Sequence, residues 1–295
     1  MKKLLNELDE KKNTDNSIDL HQAAVTKFIE VNGTRYAYRA FGNNSDIPLI
    51  LLQHFTGTMD NWDPQVTNGL AKHFQVVLFD NKGIGASGGE TASSIEEMAH
   101  DTISLIKALG FEKVDLLGFS MGGFIAQQIT LLEPALINKL ILAGTGPKGG
   151  EGITNIVTPL TASVSMTPDE QKLYLFYEAT PTSRALGKLA LSRINKRTEN
   201  RSPDAELPSI QAQLKSILEW AAPDVNALDQ LKKIKQSVLV INGSHDIMVP
   251  TINSYVLFQN LPKARLSLYP DAGHGAIFQY PELFLDEVIP FLERN

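Results

Sequence analysis

A serine flanked by glycines is the strongest chemical signal in the chain. Residues 118–122 read Gly-Phe-Ser-Met-Gly, directly after the apolar run 114–117 and before a helical stretch that Pro134 ends. A nucleophile at a sharp turn from strand to helix needs such small neighbours, because a β-carbon two residues to either side would collide with the crowded backbone. The pattern therefore predicts that Ser120 stands above a sheet as a nucleophile; the alternative is a glycine-rich turn that only packs a helix against a strand.

A histidine and an aspartate follow two later apolar runs. His274 lies in the loop 271–275, after the run 266–269, and Asp246 follows the run 238–241. Imidazole can take a hydroxyl proton near neutral pH and return it to a leaving group, and a carboxylate can hold that imidazole in one tautomer. Taken singly, the first could be a solvated loop histidine and the second an aspartate that caps a turn.

The three residues occur in the order serine, aspartate, histidine, and each comes just after a predicted strand. If these strands are parallel, the loops share one edge of the sheet and the side chains can converge. This order is typical of α/β hydrolases and differs from that of chymotrypsin or subtilisin. We therefore predict a catalytic set of Ser120 as nucleophile, His274 as base and Asp246 as the group that orients His274, with Asp271 as the competing carboxylate.

Short apolar runs alternate with helical patterns along most of the chain, which predicts an α/β fold with a mostly parallel central sheet flanked by helices. Before these runs, Asn32-Gly33 between two alternating segments predicts a hairpin with a type I′ turn. A helix between the second and third runs should begin at a capping box of Ser93 and Glu96 and end at Gly110. The runs are residues 50–52, 76–79, 114–117, 140–143, 238–241 and 264–269.

The strand pattern breaks in the segment 148–234, where helical stretches separated by prolines predict an inserted helical cap. The α/β core would then consist of residues 25–147 and 235–295. Residues 1–24 are polar and charged, and they should form an N-terminal arm or helix without a catalytic role.

Composition and charge exclude several classes of function. Hydrophobic residues make up 43% of the chain, enough for a buried core without disulfides or metals. The formal net charge of -6 disfavours nucleic acid, since binding a phosphate backbone needs clustered lysine and arginine. Cysteine is absent, which removes thiol nucleophiles and thiolate metal sites, and no metal-ligand pattern such as His-Glu-x-x-His is present. No apolar stretch approaches the roughly 18 residues of a membrane span, so we expect a cytoplasmic protein. We also expect that it acts on a small molecule and needs no metal or cofactor. Its oligomeric state stays open.

Nearly the whole chain, from residue 27 onward, resembles the α/β-hydrolase superfamily, in particular its cap-bearing esterase, perhydrolase and cofactor-free haloperoxidase-like group. The resemblance depends on the turn around Ser120, on Asp246 ahead of Val249-Pro250, on residues 271–274, and on residues 80–87, which are similar to the family's turn after its fourth strand. It implies the α/β-hydrolase fold with an inserted helical cap.

The resemblance also indicates which backbone groups would bind the oxyanion. The family usually has His-Gly after its third strand, followed by the residue whose N–H binds the oxyanion; here Gln53 and His54 take those places. In that register Phe55 would supply one donor and Met121, which follows the nucleophile, the other. Thr56 is the alternative to Phe55.

The loop 80–87 departs from the family's pattern at Asn81-Lys82, where an arginine commonly precedes the glycine, a position that is usually structural. Gly83 and Gly85 give this loop a superficial likeness to a phosphate-binding loop. Because no Gly-Lys-Ser/Thr or dinucleotide pattern completes it, we do not predict nucleotide binding.

The sequence predicts a serine hydrolase that cleaves a small or medium uncharged carboxylic ester through an acyl-enzyme. Tyr177 and Trp220 in the cap are predicted to bind the substrate, with helix packing as the alternative. Lactone, thioester or carbon-carbon bond hydrolysis and acyl transfer to hydrogen peroxide use the same residues and stay open. Two functions without catalysis also stay open for the same fold: a small-molecule receptor and a scaffold.

Overall fold

The computed structural model describes residues 19–294, and an eight-stranded sheet organises them. The strands are β1 (Lys27–Val31), β2 (Thr34–Gly42), β3 (Leu49–Leu52), β4 (Gln75–Phe79), β5 (Val114–Phe119), β6 (Ile137–Ala143), β7 (Ser237–Gly243) and β8 (Ala264–Tyr269). Their order across the sheet is β1-β2-β4-β3-β5-β6-β7-β8. The pairs β1/β2 and β2/β4 are antiparallel and the others are parallel, so the predicted mostly parallel sheet is confirmed.

The continuous apolar runs form strands because the sheet is covered on both faces. Ile50 and Leu52 of β3 belong to an apolar cluster on one face, and the alternate residues Leu49 and Leu51 belong to a second cluster on the other face. Helices α3 (Ile95–Ala108) and α4 (Met121–Leu132) cover the first face. Helices α2 (Pro64–Ala71) and α12 (Pro281–Glu293) cover the second.

Local turn signals are mostly where the sequence predicts them. Asn32 and Gly33 between β1 and β2 have φ angles of 52° and 76°, the positive values that a type I′ turn requires. Gly110 follows α3 with a φ of 84°. The start of α3 was predicted one residue too early: the N-cap is Ser94, whose hydroxyl accepts a hydrogen bond from the backbone of Glu97, so the predicted pair of Ser93 and Glu96 is wrong.

The segment between β6 and β7 is helical, and its described residues contain no strand. Several prolines of this segment lie in the first turn of a helix, where their missing N–H costs nothing, and therefore start helices rather than interrupt them. The helices are α5 (Val157–Ala162), α6 (Pro168–Phe176), α7 (Pro181–Ile194), α8 (Leu207–Ala221) and α9 (Ala227–Leu231). After β7 come α10 (Ile252–Asn260) and, after β8, α11 (Ala276–Gln279).

Buried ion pairs attach this helical segment to the sheet. Arg39 of β2 forms a bidentate pair with Asp60, at 2.6 and 3.1 Å, and the backbone N–H of Ser202 donates to the same carboxylate at 2.7 Å. Arg193 of α7 forms a second pair with Asp63. Removing one partner would leave a buried charge uncompensated, so these contacts fix where the segment lies.

Of the predicted N-terminal arm, residues 1–18 lie outside the described residues. The rest includes the short helix α1 (Leu20–Ala23), whose His21 imidazole is buried and hydrogen-bonded to Thr67 of α2 at 2.8 Å. Arg197 donates to the backbone carbonyls of His21 and Gln22. Residues 19–24 are therefore packed against both the core and the helical segment.

Candidate active site

Ser120 lies at the turn between β5 and α4 in a strained backbone conformation, with a φ of 56° and a ψ of -120°. The neighbouring glycines are needed for this turn. A β-carbon at Gly122 would lie 2.1 Å from the carbonyl oxygen of Leu52, and one at Gly118 would lie 2.5 Å from the carbonyl oxygen of Gly122. The close approach of α4 to β3 therefore explains the glycine spacing seen in the sequence.

The backbone of Ser120 is held on both sides. Its N–H donates to Ala143 of β6 at 2.9 Å, and its carbonyl accepts from the Thr145 hydroxyl at 2.8 Å. Serine often caps a helix through its hydroxyl, but the positive φ prevents this here, and Ser120 makes no capping bond. Within the described residues the Ser120 hydroxyl has no hydrogen-bond partner, which leaves it available for chemistry.

His274 and Asp246 are brought together by adjacent strands. The Nδ1 atom of His274 lies 2.7 Å from Oδ2 of Asp246, and both side chains are buried. The other oxygen of Asp246 accepts from the backbone N–H groups of Met248 and Val249, at 2.8 and 2.9 Å. Because a carboxylate can only accept, Nδ1 carries the proton, and Nε2 is left as the basic nitrogen.

The competing carboxylate, Asp271, is engaged elsewhere. Its Oδ1 accepts a hydrogen bond from the Thr180 hydroxyl at 2.7 Å, which ties the loop before His274 to the start of α7. Asp271 has a φ of 49°, so the loop turns sharply between it and the histidine. The structure therefore places Asp246, and not Asp271, beside the imidazole.

An aromatic wall surrounds the imidazole of His274. Phe119, next to the serine, has its ring 5.0 Å from the imidazole, and Phe176 at the end of α6 has its ring 5.2 Å away. Gly144 also lies against the imidazole, since a β-carbon at this position would lie 3.3 Å from Nδ1 of His274. Ser120 is 6% exposed and His274 is 2% exposed, so the site is largely shielded from water.

Residues 53–58, which we call the oxyanion strap, follow β3 and lie beside the N-terminus of α4. The N–H of His54 donates to the Gln53 side chain, and the N–H of Thr56 donates to Gln213 of α8 at 2.7 Å. By contrast, the N–H groups of Phe55 and Met121 donate to no group in the described part of the chain. Two free donors thus remain at the positions predicted for the oxyanion, and the alternative donor Thr56 is occupied.

His54 occupies the place where related sequences usually have glycine, and it is a neutral side chain. Burial lowers the pKa of its imidazole to about 3. Its Nδ1 lies 2.7 Å from the carbonyl oxygen of Phe55, which can only accept, so the proton is on Nδ1. The ring packs edge-on against Phe119 and Phe176, at 5.5 and 5.3 Å. His54 therefore adds no charge beside the free donors.

The two cap residues predicted to bind substrate lie in different surroundings. Tyr177 is buried between α7 and the histidine loop, close to Gly187 and Gly275, and burial raises the pKa of its hydroxyl. Trp220 of α8 stacks on Phe124 of α4 with the ring centres 5.3 Å apart. The structure does not bring either side chain against the imidazole, and the binding role of both stays a prediction.

The loop 80–87 is anchored without the family's arginine. The carboxylate of Asp80 accepts from the backbone N–H groups of Met59 and Ala86, at 2.8 and 2.9 Å, and from the Ser202 hydroxyl at 2.7 Å. Lys82 pairs with Asp101 at 3.4 Å instead. The substitution at this position leaves the loop tied to Met59, the residue after the oxyanion strap, and to the segment between β6 and β7.

Residues 19–294 contain no group of three or more histidine or acidic side chains that could hold a metal ion. Over the same residues, no helix has both the length and the apolar character needed to cross a membrane.

Sequence reasoning missed Gly144 and Gln213 as parts of the site, while it named Phe176 among the cap aromatics that could line an acyl pocket. Gly144 had a usable signal, because it directly follows the apolar run of β6 at the edge of the sheet where the other site residues lie. Gln213 had none, since it reaches the site only because the helical segment folds back over the sheet.

A mostly parallel sheet with a serine at the turn from β5 to α4 is the architecture of α/β hydrolases. The chain belongs to the alpha/beta hydrolase fold family, whose profile matches residues 47–281. A solved structure of an alpha/beta hydrolase fold protein from Chitinophaga pinensis is 45% identical, with a TM-score of 0.90, and the match covers 93% of this chain and 99% of the other.

Two curated relatives extend the comparison. A putative carbamate hydrolase, RutD, from Agrobacterium fabrum is 30% identical over 257 residues, which is 84% of this chain and 94% of the relative. A putative non-heme bromoperoxidase, BpoC, from Mycobacterium tuberculosis is 27% identical over 264 residues, which is 84% of this chain and 95% of the relative. The fold and the relative named as a hydrolase together support hydrolase activity for this chain.

Proposed function

We propose that the chain is a serine hydrolase that cleaves small or medium uncharged carboxylic esters through an acyl-enzyme. The observation that carries the proposal is the 2.7 Å contact between Asp246 and Nδ1 of His274, which leaves Nε2 as the base beside the turn that holds Ser120. The unengaged N–H groups of Phe55 and Met121 support it, because acyl transfer needs two such donors.

Each proton has a defined place in the reaction. Nε2 of His274 takes the Ser120 proton as Oγ attacks the ester carbonyl, and Asp246 stabilises the imidazolium that forms. The N–H groups of Phe55 and Met121 hold the oxyanion. The imidazolium then protonates the leaving alcohol, and the acyl-enzyme forms. Water attacks the acyl carbonyl as it gives a proton to the same nitrogen, and that proton passes to Oγ of Ser120 when the bond to the acyl group breaks and the carboxylic acid leaves.

The surroundings favour an uncharged substrate. His54 is neutral and Phe119 and Phe176 are apolar, so a charged acyl group would lose its hydration without gaining an ionic partner from these three residues. The aromatic wall and the low exposure of Ser120 favour a small or medium acyl group over a long one.

A second candidate is acyl transfer to hydrogen peroxide, for which the bromoperoxidase-named relative is the specific observation. Peroxide would replace water as the attacking group, and the chain would need no other change of roles. Carbamates are a further substrate class to include, since one relative is named as a carbamate hydrolase. A panel of chromogenic esters and carbamates, with and without peroxide and bromide, separates these activities.

The direct test is covalent labelling. We expect a fluorophosphonate to modify wild-type protein at Ser120, and we expect Ser120→Ala to lose both labelling and ester turnover. Mass spectrometry of the labelled peptide identifies the site. Attachment at another serine, or an active Ser120→Ala protein, would show that Ser120 is not the nucleophile. A folded wild type that neither reacts with the fluorophosphonate nor hydrolyses esters would favour the small-molecule receptor.

A further inference from the structure

Gln213 of α8 connects the helical segment to the oxyanion strap. Its side chain is fully buried, and its Oε1 accepts the backbone N–H of Thr56 at 2.7 Å across 157 positions of sequence. Thr56 has a φ of 63°, a conformation that is strained for a threonine and persists only where the surroundings impose it. The carboxamide of Gln213 is thus part of what holds the strap in place.

This contact also fixes which way the carboxamide points. Oxygen and nitrogen of a glutamine amide are hard to tell apart by shape, but a backbone N–H can only donate, so the atom facing Thr56 must be Oε1. The opposite atom, Nε2, is buried and has no hydrogen-bond partner among the described residues. A buried donor without an acceptor is costly, so Nε2 of Gln213 is a group in need of a ligand.

The position of Nε2 is close to the oxyanion site. Thr56 is the residue after Phe55, and standard covalent geometry keeps Nε2 of Gln213 within about 9 Å of the Phe55 nitrogen. An acyl group whose oxyanion is held by the Phe55 N–H would have to extend several bonds beyond its carbonyl to reach Nε2. Gln213 also lines a small cavity of about 10 Å³ together with Asn81, Met98 and Thr102, which is room for about one water molecule.

We propose that the carboxamide of Gln213 is a polar subsite for the acyl group, and that its Nε2 donates a hydrogen bond to an acceptor atom of the substrate. The preferred substrates are then oxygenated acyl groups, such as alkoxy, hydroxy or oxo acyl esters, rather than plain alkyl esters. This inference rests on the proposed ester hydrolase function, and it adds a substrate class to it.

The test compares isosteric esters on matched variants. The substrates are p-nitrophenyl hexanoate and three analogues in which oxygen replaces the methylene at carbon 3, 4 or 5. The variants are Gln213→Met, which loses both the acceptor and the donor, and Gln213→Glu, which keeps an acceptor for the Thr56 N–H and, when its carboxyl is ionised, has no donor. Gln211→Met makes the same change at an exposed position of α8 and serves as the control.

The readout is the ratio of kcat/KM for each oxygenated ester to that for hexanoate. Intrinsic reactivity and any general effect of a displaced strap cancel in the change of this ratio between proteins. For at least one oxygenated ester we expect the ratio to fall about tenfold in both Gln213 variants and to stay at the wild-type value in Gln211→Met.

An unchanged ratio in folded Gln213→Met and Gln213→Glu would overturn the subsite and assign Nε2 to a buried water. Thermal unfolding establishes that the variants are folded. A wild type that labels at Ser120 but hydrolyses none of the four esters would overturn the proposed ester function, and the oxygenated-ester subsite with it.

Discussion

Single residues decide whether the site can act as a base and a nucleophile. The proton on Nδ1 of His274 is fixed by Asp246, and the unbonded hydroxyl of Ser120 depends on a backbone angle that only a crowded turn imposes. Each of these conditions can be changed by replacing one residue with another of almost the same shape.

We predict that Asp246→Asn lowers kcat by about 10⁴, equivalent to roughly 5 kcal/mol of transition-state stabilisation, because the amide favours the wrong imidazole tautomer. Asp271→Asn is the matched control, and it should cost far less because the Asp271 carboxylate accepts from Thr180 and not from the imidazole. Steady-state kinetics on both proteins provide the measurement. Near wild-type turnover by folded Asp246→Asn, or a larger loss in Asp271→Asn, would assign the orienting role to another group.

We predict that Gly122→Ala lowers the free energy of unfolding by about 3 kcal/mol or more, because its methyl group would lie 2.1 Å from the carbonyl oxygen of Leu52 and neither backbone can yield easily. Gly88→Ala makes the same change where the nearest atom is 3.7 Å away, so it should be almost neutral. Urea denaturation measures both. Equal stability of the two variants would contradict the close approach of α4 to β3.

At the scale of elements, the junction of α6 and α7 is the part of the helical segment closest to the imidazole. The carbonyl of Phe176 accepts the N–H of Gly275 at 2.7 Å, and the hydroxyl of Ser183 donates to Gln279 at the same distance. Since these contacts hold the junction against the histidine loop, the side chains it carries determine how much room an acyl group has. We therefore propose that the helical segment 148–234 acts as a cap that selects substrates.

We predict that Phe176→Ala shifts the preferred acyl chain to a longer one, because it removes a ring that touches His54, Phe119 and His274 while the backbone bond to Gly275 stays. Tyr177→Ala and Trp220→Ala should also alter the chain-length profile. The measurement is kcat/KM over a series of p-nitrophenyl esters. Phe258→Ala, which replaces an exposed phenylalanine on α10, is the control. If the three cap variants have the same chain-length profile as this control, the cap does not select the substrate.

At the scale of the whole molecule, burial of titratable groups makes stability depend on pH. Burial lowers the pKa of His21 to about 4 and that of His54 to about 3. Below about pH 6.5 these two histidines therefore bind more protons in the unfolded than in the folded chain, and each lowers the free energy of unfolding by up to about 1.4 kcal/mol per pH unit. Asp115, Asp63 and Asp80 act in the opposite sense at lower pH, because burial raises the pKa of each carboxyl, that of Asp115 to about 6.

We predict that His21→Gln raises the melting temperature relative to wild type more at pH 4.5 than at pH 7.5, since one of the two buried histidines no longer titrates. Thermal unfolding at pH 7.5, 6.5, 5.5 and 4.5 provides the comparison. His73→Gln replaces an exposed histidine and should leave the slope unchanged. The same slope in wild type and His21→Gln would show that His21 is protonated within the folded protein.

The sequence by itself determined the order of the strands along the chain, the positions of Ser120, Asp246 and His274 after three of them, and the type I′ turn at Asn32-Gly33. These features depend on local periodicity and on glycines, which neighbouring residues specify. The start of α3 was misplaced by one residue because Ser93 and Ser94 are both suitable caps, and only the packed helix selects between them.

Only the tertiary structure decided which carboxylate reaches His274, since Asp271 is closer in sequence but Asp246 is closer in space. The same holds for Gln213 on the oxyanion strap and Phe176 on the imidazole, because the helical segment must fold over the sheet before either contact exists. Contacts between distant residues depend on how whole elements pack, and a single sequence carries no local pattern that specifies such packing.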